Sequence, residues 1–444
     1  MADATAAPFD PRSIMRSRRF LFLLVLAAIL GLVASLVAWG FLELVHEMQI
    51  WVFTDLPHAL GYNATPRWWS LPVLALAGLV AALAITRLPG RGGHRPSAGL
   101  SPEPTQPVDM PGVVLAGLAT IGLGLVLGPE APLIAMGGGL GFLAVRLVQS
   151  DAPPELGTLV AASGTFAALS FLFGSPLIAA VLLIEASGLT GPRLPLVLLP
   201  GLLAAGIGSL VSIGMGEWTG VDTSEISLDP LPVPEFARPE LVDFLWTIPL
   251  AATIAVVVFV IFYIARRAEP VAAARPFLAL PGLGLAVSGL AIGFSELADK
   301  SVDQVLFSGQ EAIGPLIADE GTWSLSALAL LIGFKGLAYA LSLAGFRGGP
   351  VFPAILLGAA AGLMAAQLPG FSITPAVAVC IGATVVSILR LPLAAVVLAT
   401  LLCSGAGLGA SPVIIVGVVV AYLTTLALPE PATTERAIPA PGPA

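Results

Sequence analysis

The chain has 444 residues, 57% of them hydrophobic and only 10% charged. A mean hydropathy of +0.98 excludes a soluble protein, and with apolar runs of spanning length it indicates an all-α polytopic membrane protein. The net charge of −8 is spread thinly over loops and includes no Lys/Arg run, so no nucleic-acid partner is expected.

Arg12, Arg16, Arg18 and Arg19 precede an uncharged run from Phe20 to Leu42, longer than a signal-peptide core. It reads as a retained span whose leading segment, residues 1–19, is cytoplasmic by the positive-inside tendency; a cleaved signal is the weaker reading. Trp69 to Thr86 is a second apolar run, followed by a loop carrying Arg87, Arg91, His94, Arg95 and Pro96 among glycines. Its positive charge again suits the cytoplasmic side. A glycine-rich stretch from Pro111 to Pro129 then leads to Gly128-Pro129-Glu130-Ala131-Pro132.

Glu130 is the only charge between Asp109 and Arg146. An ionised carboxylate inside a membrane-length apolar segment is costly and marks a pathway or a partner. Pro132 is expected to open a new helix, Leu133 to Leu147, whose unpaired amides and positive dipole end face back towards Glu130. Such a helix start is suited to anions.

The run Leu156 to Ile184 is interrupted at Gly174-Ser175-Pro176, as for a broken helix pair, and ends at Glu185. Leu194 to Gly216, Phe244 to Ala265, Pro276 to Ser295 and Gly321 to Phe334 are further apolar segments, with polar stretches at Glu217 to Asp243 and Glu296 to Glu320. Gly348 to Leu389 and Leu391 to Pro429 are separated only by Arg390, and each is long enough to hold more than one short helix. Residues 430–444 are rich in Pro and Ala and are expected to be disordered.

An internal repeat is visible. Gly128, Pro132 and Gly137 recur with the same spacing as Gly349, Pro353 and Gly358, and Ser175-Pro176-Leu177-Ile178-Ala179-Ala180 recurs as Leu391-Pro392-Leu393-Ala394-Ala395-Val396. Paired broken helices in corresponding halves point to a central site of the kind transporters use.

With Gly128-Pro129-Glu130-Ala131-Pro132, Gly348-Gly349-Pro350-Val351-Phe352-Pro353 and the Phe173-to-Glu185 element between them, the sequence resembles the CLC family of chloride channels and chloride/proton antiporters over roughly Phe20 to Leu428. The first motif is similar to that family's Gly-Lys/Arg-Glu-Gly-Pro and the second to its Gly-Gly-x-Phe-x-Pro. The resemblance implies a CLC-type fold of two inverted repeats, about 20–265 and about 276–429, within a transmembrane domain at 20–429 of the prokaryotic type without CBS domains. It implies a homodimer in a prokaryotic plasma membrane, a pathway for chloride and similar anions in each subunit, and no cofactor. Glu130 becomes the gating glutamate, and Gly93, Gly128, Ala131, Gly349, Val351 and Phe352 become the anion-binding positions.

The departures bear on mechanism. Gly92-Gly93-His94-Arg95-Pro96 stands where the family has Gly-Ser-Gly-Ile-Pro, so Gly93 lacks the serine hydroxyl. Pro350 has no amide hydrogen, which leaves donation to Val351 and Phe352, and no counterpart of the family's late tyrosine is found; Tyr422 reads as packing. The expected site is plainer and weaker than the family's. Ala186 replaces the internal glutamate of the family's antiporters. Passive anion conduction is therefore expected over coupled exchange, with Glu185, one residue away, as a possible proton-pathway substitute.

Other residues have ordinary readings. Lys335 is expected to snorkel from a span end, Arg87, Arg91 and Arg95 to set topology, and Cys380 and Cys403 to pack as small hydrophobes. His46, His58 and His94 have no metal-ligand spacing. An intramembrane enzyme would need a nucleophile and base among the spans, and no His follows residue 94. An organic-solute or cation carrier is the stronger rival, though cation carriers usually show several deep acids.

Overall fold

The computed structural model describes residues 11–99, 105–149, 154–188, 190–191, 194–220, 228 and 230–429. The tail from residue 430, Arg193, and residues 221–227 and 229 of the acidic 217–243 loop lie outside the described residues. Fifteen helices are labelled here. In the first half they are α1 (Arg18–Ile50), α2 (Ser70–Arg87), α3 (Met110–Gly117), α4 (Glu130–Val148), α5 (Pro154–Leu172), α6 (Pro176–Ser187) and α7 (Leu194–Thr219). In the second half they are α8 (Leu241–Ala274), α9 (Pro276–Ala298), α10 (Gln310–Ala318), α11 (Leu325–Gly345), α12 (Val351–Ala365), α13 (Ile373–Leu389), α14 (Pro392–Leu402) and α15 (Ser411–Ala427). Eight helical stretches among the described residues are long and apolar enough to cross a membrane, and the shorter apolar helices pack between them.

The repeat seen in the sequence is a repeat of packing. α4 lies against α5, and α12 lies against α13. Gly137 and Gly141, four residues apart on α4, face the α5 backbone so closely that a Cβ would stand 2.5 Å from the Gly164 carbonyl oxygen and 2.4 Å from Ala161 Cα. Gly358 and Gly362 on α12 stand in the same relation to α13, with Ile381 Cα at 2.7 Å and Val377 Cα at 2.4 Å. Spacing small residues by one turn lets helix backbones approach where hydrocarbon gives no hydrophobic drive.

Both expected breaks are present. Ser175 caps α6, its hydroxyl accepting from the Ile178 amide at 3.5 Å, while Arg390 takes a left-handed φ of +57° between α13 and α14. α14 then packs on α6, joining the halves.

Two boundaries differ from expectation. The helix after the glycine-rich stretch begins at Glu130, not at Pro132, with Pro129 as its N-cap. Proline is tolerated anywhere in the first turn, where amides lack intrahelical acceptors, so Pro132 does not mark the start. The span expected to end at Phe334 runs on to Gly345. Lys335 therefore does not snorkel: it is fully buried, its ammonium donating to the carbonyls of Gln304 (3.0 Å), Val305 (3.3 Å), Leu306 (3.0 Å) and Phe307 (3.5 Å). The charge finds its partners in a folded-back loop, which hydropathy along the chain does not show.

Candidate functional site

Two glycine-proline turns meet at the centre. Gly128 N–H donates to the Gly349 carbonyl at 2.7 Å and Gly349 N–H to the Gly128 carbonyl at 2.6 Å, a single antiparallel bridge. The residues that follow, Pro129 and Pro350, are the N-caps of α4 and α12. The positive ends of both helices therefore lie within two residues of one bridge, and the unpaired first amides of each are available to an acceptor.

Glu130 supplies that acceptor across the repeat boundary. Its Oε1 accepts from the Val351 amide at 3.0 Å and the Phe352 amide at 3.0 Å, the first two of α12. The residue is fully buried, and no Arg or Lys among the described residues forms an ion pair with it. The other oxygen, Oε2, is shut off from solvent and has no hydrogen-bond partner. It lies so close to the bridge that a Cβ on Gly128 would stand 2.3 Å from it and one on Gly349 1.5 Å. Only glycine at these two positions admits the carboxylate. The helix start used is thus that of α12, not the one expected to follow Pro132.

Helix α11 holds this arrangement in place. Tyr339 Oη donates to the Pro350 carbonyl at 2.8 Å, turning that peptide so that the following amides face Glu130. One turn away, Ser342 Oγ accepts from the Val126 amide at 3.2 Å. The Phe352 ring stacks on Phe173, centroids 5.9 Å apart and planes within 5°. The Phe173-to-Glu185 break is thereby tied to the same centre.

Two cavities approach the carboxylate from its chain neighbours. One, about 280 Å³, is lined by Gly92, Gly93, Ala131, Pro132, Arg347 and Gly348 among others. The second, about 620 Å³, reaches Pro129 and is lined by Phe53, Gln304, Phe307 and Gly309, the loop that Lys335 secures. They share no residue, and Glu130 lines neither. The residues on either side of Glu130 in the chain, Pro129 and Ala131, thus line different cavities.

The structure brings Gly128, Glu130, Gly349, Val351 and Phe352 together, and puts Gly93 and Ala131 on the wall of the smaller cavity. It does not bring Glu185 there. That carboxylate accepts from Leu393 N at 2.9 Å and Ala394 N at 2.7 Å, capping α14. Sequence reading missed Tyr339 and Arg347. The available signal was a lone tyrosine and a lone arginine in otherwise uncharged surroundings just before the Gly-Gly-Pro motif.

Comparison with known proteins bears on this site. The chain is 30% identical over 364 residues to "Putative ion-transport protein YfeO" of Salmonella schwarzengrund, covering 79% of this chain and 81% of that protein, and 29% identical to the protein of that name from Escherichia fergusonii, covering 79% and 80%. Its fold is shared with a slow cyanobacterial Cl⁻/H⁺ antiporter (TM-score 0.72, 20% identity, 91% of this chain and 94% of that one). It is shared too with a CLC-type fluoride/proton antiporter (TM-score 0.60, 17% identity, 91% and 95%). The sequence profile described as "Voltage gated chloride channel" matches residues 94–426, a stretch that contains both glycine-proline turns and every site residue except Gly93, which lies just before it. The chain belongs to the voltage gated chloride channel (CLC) family, the anion transporters of two inverted repeats.

Proposed function

We propose that the protein conducts chloride and similar small anions passively across a cell membrane, each subunit of a homodimer carrying its own pathway, with Glu130 as the gate. The observation that carries this reading is the pair of 3.0 Å hydrogen bonds from the Val351 and Phe352 amides to Glu130 Oε1. Two adjacent helix-start amides that converge on one carboxylate oxygen suit a chloride ion equally well. The carboxylate is a tethered competitor of the ion. Protonating it weakens its hold on amide donors, and rotation of the side chain would free Val351 N and Phe352 N and join the two cavities. Gly128, Ala131, Gly349 and Gly93 contribute close backbone approach along that route.

Passive conduction is favoured because Ala186 offers no proton-carrying group and Glu185 has both oxygens engaged by α14. Coupled exchange is the second reading. In its favour, both solved proteins that share the fold are named as proton antiporters, and Glu130 is itself protonatable.

The test is chloride efflux from liposomes containing the purified protein, with the potential set by a potassium ionophore and external pH recorded. Chloride release without uphill proton movement is expected. Chloride-driven proton uptake against its gradient would replace conduction by exchange. Absence of any chloride flux would overturn the anion reading in favour of an organic-solute or cation carrier.

A further inference from the structure

Arg347 is the charge the gating account leaves unused. It sits in the short turn between α11 and Gly348, 9% exposed, in a region where charges are rare and need a reason. Its Nη1 donates to two carbonyls at the end of α11, Gly345 (3.4 Å) and Phe346 (3.1 Å), and its backbone amide to Thr120 Oγ1 at 3.4 Å. The guanidinium is thus held on one side. Its Nε is cut off from solvent with no acceptor, and no described residue accepts from Nη2. Nε and Nη2 together form the edge with which arginine takes two oxygens of one planar or tetrahedral anion.

The place of this edge matters as much as its geometry. Arg347 lines the 280 Å³ cavity beside Gly93, Ala131 and Gly348, and also a larger cavity of about 700 Å³ walled by Arg91, Arg95 and Glu269. Among the described residues it is the one charged side chain common to both. Glu269 is engaged by Arg95 and Ser97, so Arg347 is the charge left to meet an anion where the larger cavity adjoins the smaller one. Asp109 and His94 also line the smaller cavity. The unpaired guanidinium edge, rather than a general excess of positive charge, is therefore what selects the ligand. Gly93 supplies no hydroxyl there, so no small single donor competes to favour a spherical ion.

We infer that Arg347 is the specificity-determining residue of an anion position next to the Glu130 gate, and that this position takes a small oxyanion, bound through two oxygens on the Nε/Nη2 edge, in preference to a halide. The inference rests on the proposed anion pathway. Nitrate is the probe, because it matches chloride in charge and differs in offering two oxygens to the fork.

The experiment compares initial nitrate and chloride fluxes in liposomes for the full-length protein, Arg347→Lys and Arg347→Met. Wild-type nitrate flux should exceed chloride flux. Arg347→Lys, which keeps the charge and loses the fork, should lower the nitrate-to-chloride ratio by about tenfold, as expected for one lost bidentate pairing, while chloride flux changes less. Arg347→Met should lower both. As a second readout, the wild-type protein in detergent should show a larger rise in melting temperature with nitrate than with chloride at equal ionic strength, and Arg347→Lys should lose that difference. Chloride flux with no nitrate preference, or a ratio unchanged in Arg347→Lys, overturns this assignment and leaves the anion pathway standing. No flux of either anion overturns the pathway and the assignment together. If Arg347→Lys does not fold, equal wild-type stabilisation by the two anions overturns it.

Discussion

Two carboxylates from the first half of the chain each accept from two consecutive amides at a helix start in the second half, and they do so differently. Glu185 uses both oxygens, one on Leu393 N and one on Ala394 N, at the rim of the structure where it is partly exposed. Glu130 uses one oxygen for both Val351 N and Phe352 N, is fully buried, and leaves Oε2 wedged against two glycine backbones without a partner. The first is a satisfied helix cap. The second is a buried, half-satisfied charge, costly to keep and therefore easy to displace by an ion that fits the same amides. In the proposed reading, what makes Glu130 a gate where Glu185 is a cap is the unpaired oxygen and the cavities lined by its chain neighbours, not the hydrogen bonds made.

The largest expected effect comes from removing that charge. Glu130→Gln keeps the shape and lowers the affinity for the amides, so chloride flux at neutral pH should rise by about tenfold, the equivalent of about 1.4 kcal/mol of lost competition. The sign with pH follows from competition. Acid neutralises the wild-type carboxylate and should raise its flux, whereas the Gln variant should be nearly flat from acid to neutral pH. A wild-type flux that falls in acid, or a Gln variant with the wild-type profile, would make Glu130 another cap.

The glycine bridge offers a sharper test, because it depends on the carboxylate being where it is. Gly349→Ala places a Cβ 1.5 Å from Oε2 and 2.9 Å from Glu130 Cβ, an overlap that must expel the side chain or part the bridge. Overpacking of this kind costs about 1–3 kcal/mol. In a Glu130→Ala background most of the clash is gone, so the same substitution should cost clearly less. A thermal-denaturation double-mutant cycle reads the coupling, and additive effects would mean that the close approach of Oε2 to Gly349 has no energetic consequence.

Lys335 bears on the cavity wall rather than the gate. Lys335→Met leaves four carbonyls of the 304–307 loop without their donor, at about 1–3 kcal/mol for buried acceptors so abandoned. Melting temperature should fall, and chloride flux should fall with it as the loop lining the larger approach to Pro129 loses its anchor. A variant as stable as wild type would show that the loop holds itself.

Legibility in the sequence followed the range of the interactions. The broken helices, the paired Gly-Pro motifs and the deep acid were readable because each is a local pattern: a proline inside an apolar run, a repeat at fixed spacing, one charge among 35 neutral residues. Where Glu130 would point was not, since the amides that donate to it lie more than 220 residues away. Lys335 was misread for the same reason: its four carbonyls lie some thirty residues upstream, and hydropathy treats a satisfied lysine and a snorkelling one alike. Arg347 went unremarked because a single arginine beside two glycines resembles a loop boundary until its neighbours Thr120, Gly93 and Ala131 are brought around it.

The smallest effect expected belongs to the cap. Glu185→Gln keeps an acceptor oxygen for one of the two α14 amides and turns a carboxamide NH2 donor towards the other, so it should lower stability by about 0.5–1 kcal/mol, the range for a weakened helix cap. Because α14 packs mainly on α6, α13 and α15 and Glu185 makes no hydrogen bond to the Glu130 site, the ratio of chloride flux at acid and neutral pH should stay at its wild-type value. If Glu185→Gln instead abolished a chloride-driven proton movement seen in the wild-type protein, Glu185 would belong to the transport cycle, and the contrast between cap and gate would give way to two proton-linked acids on opposite sides of one pathway.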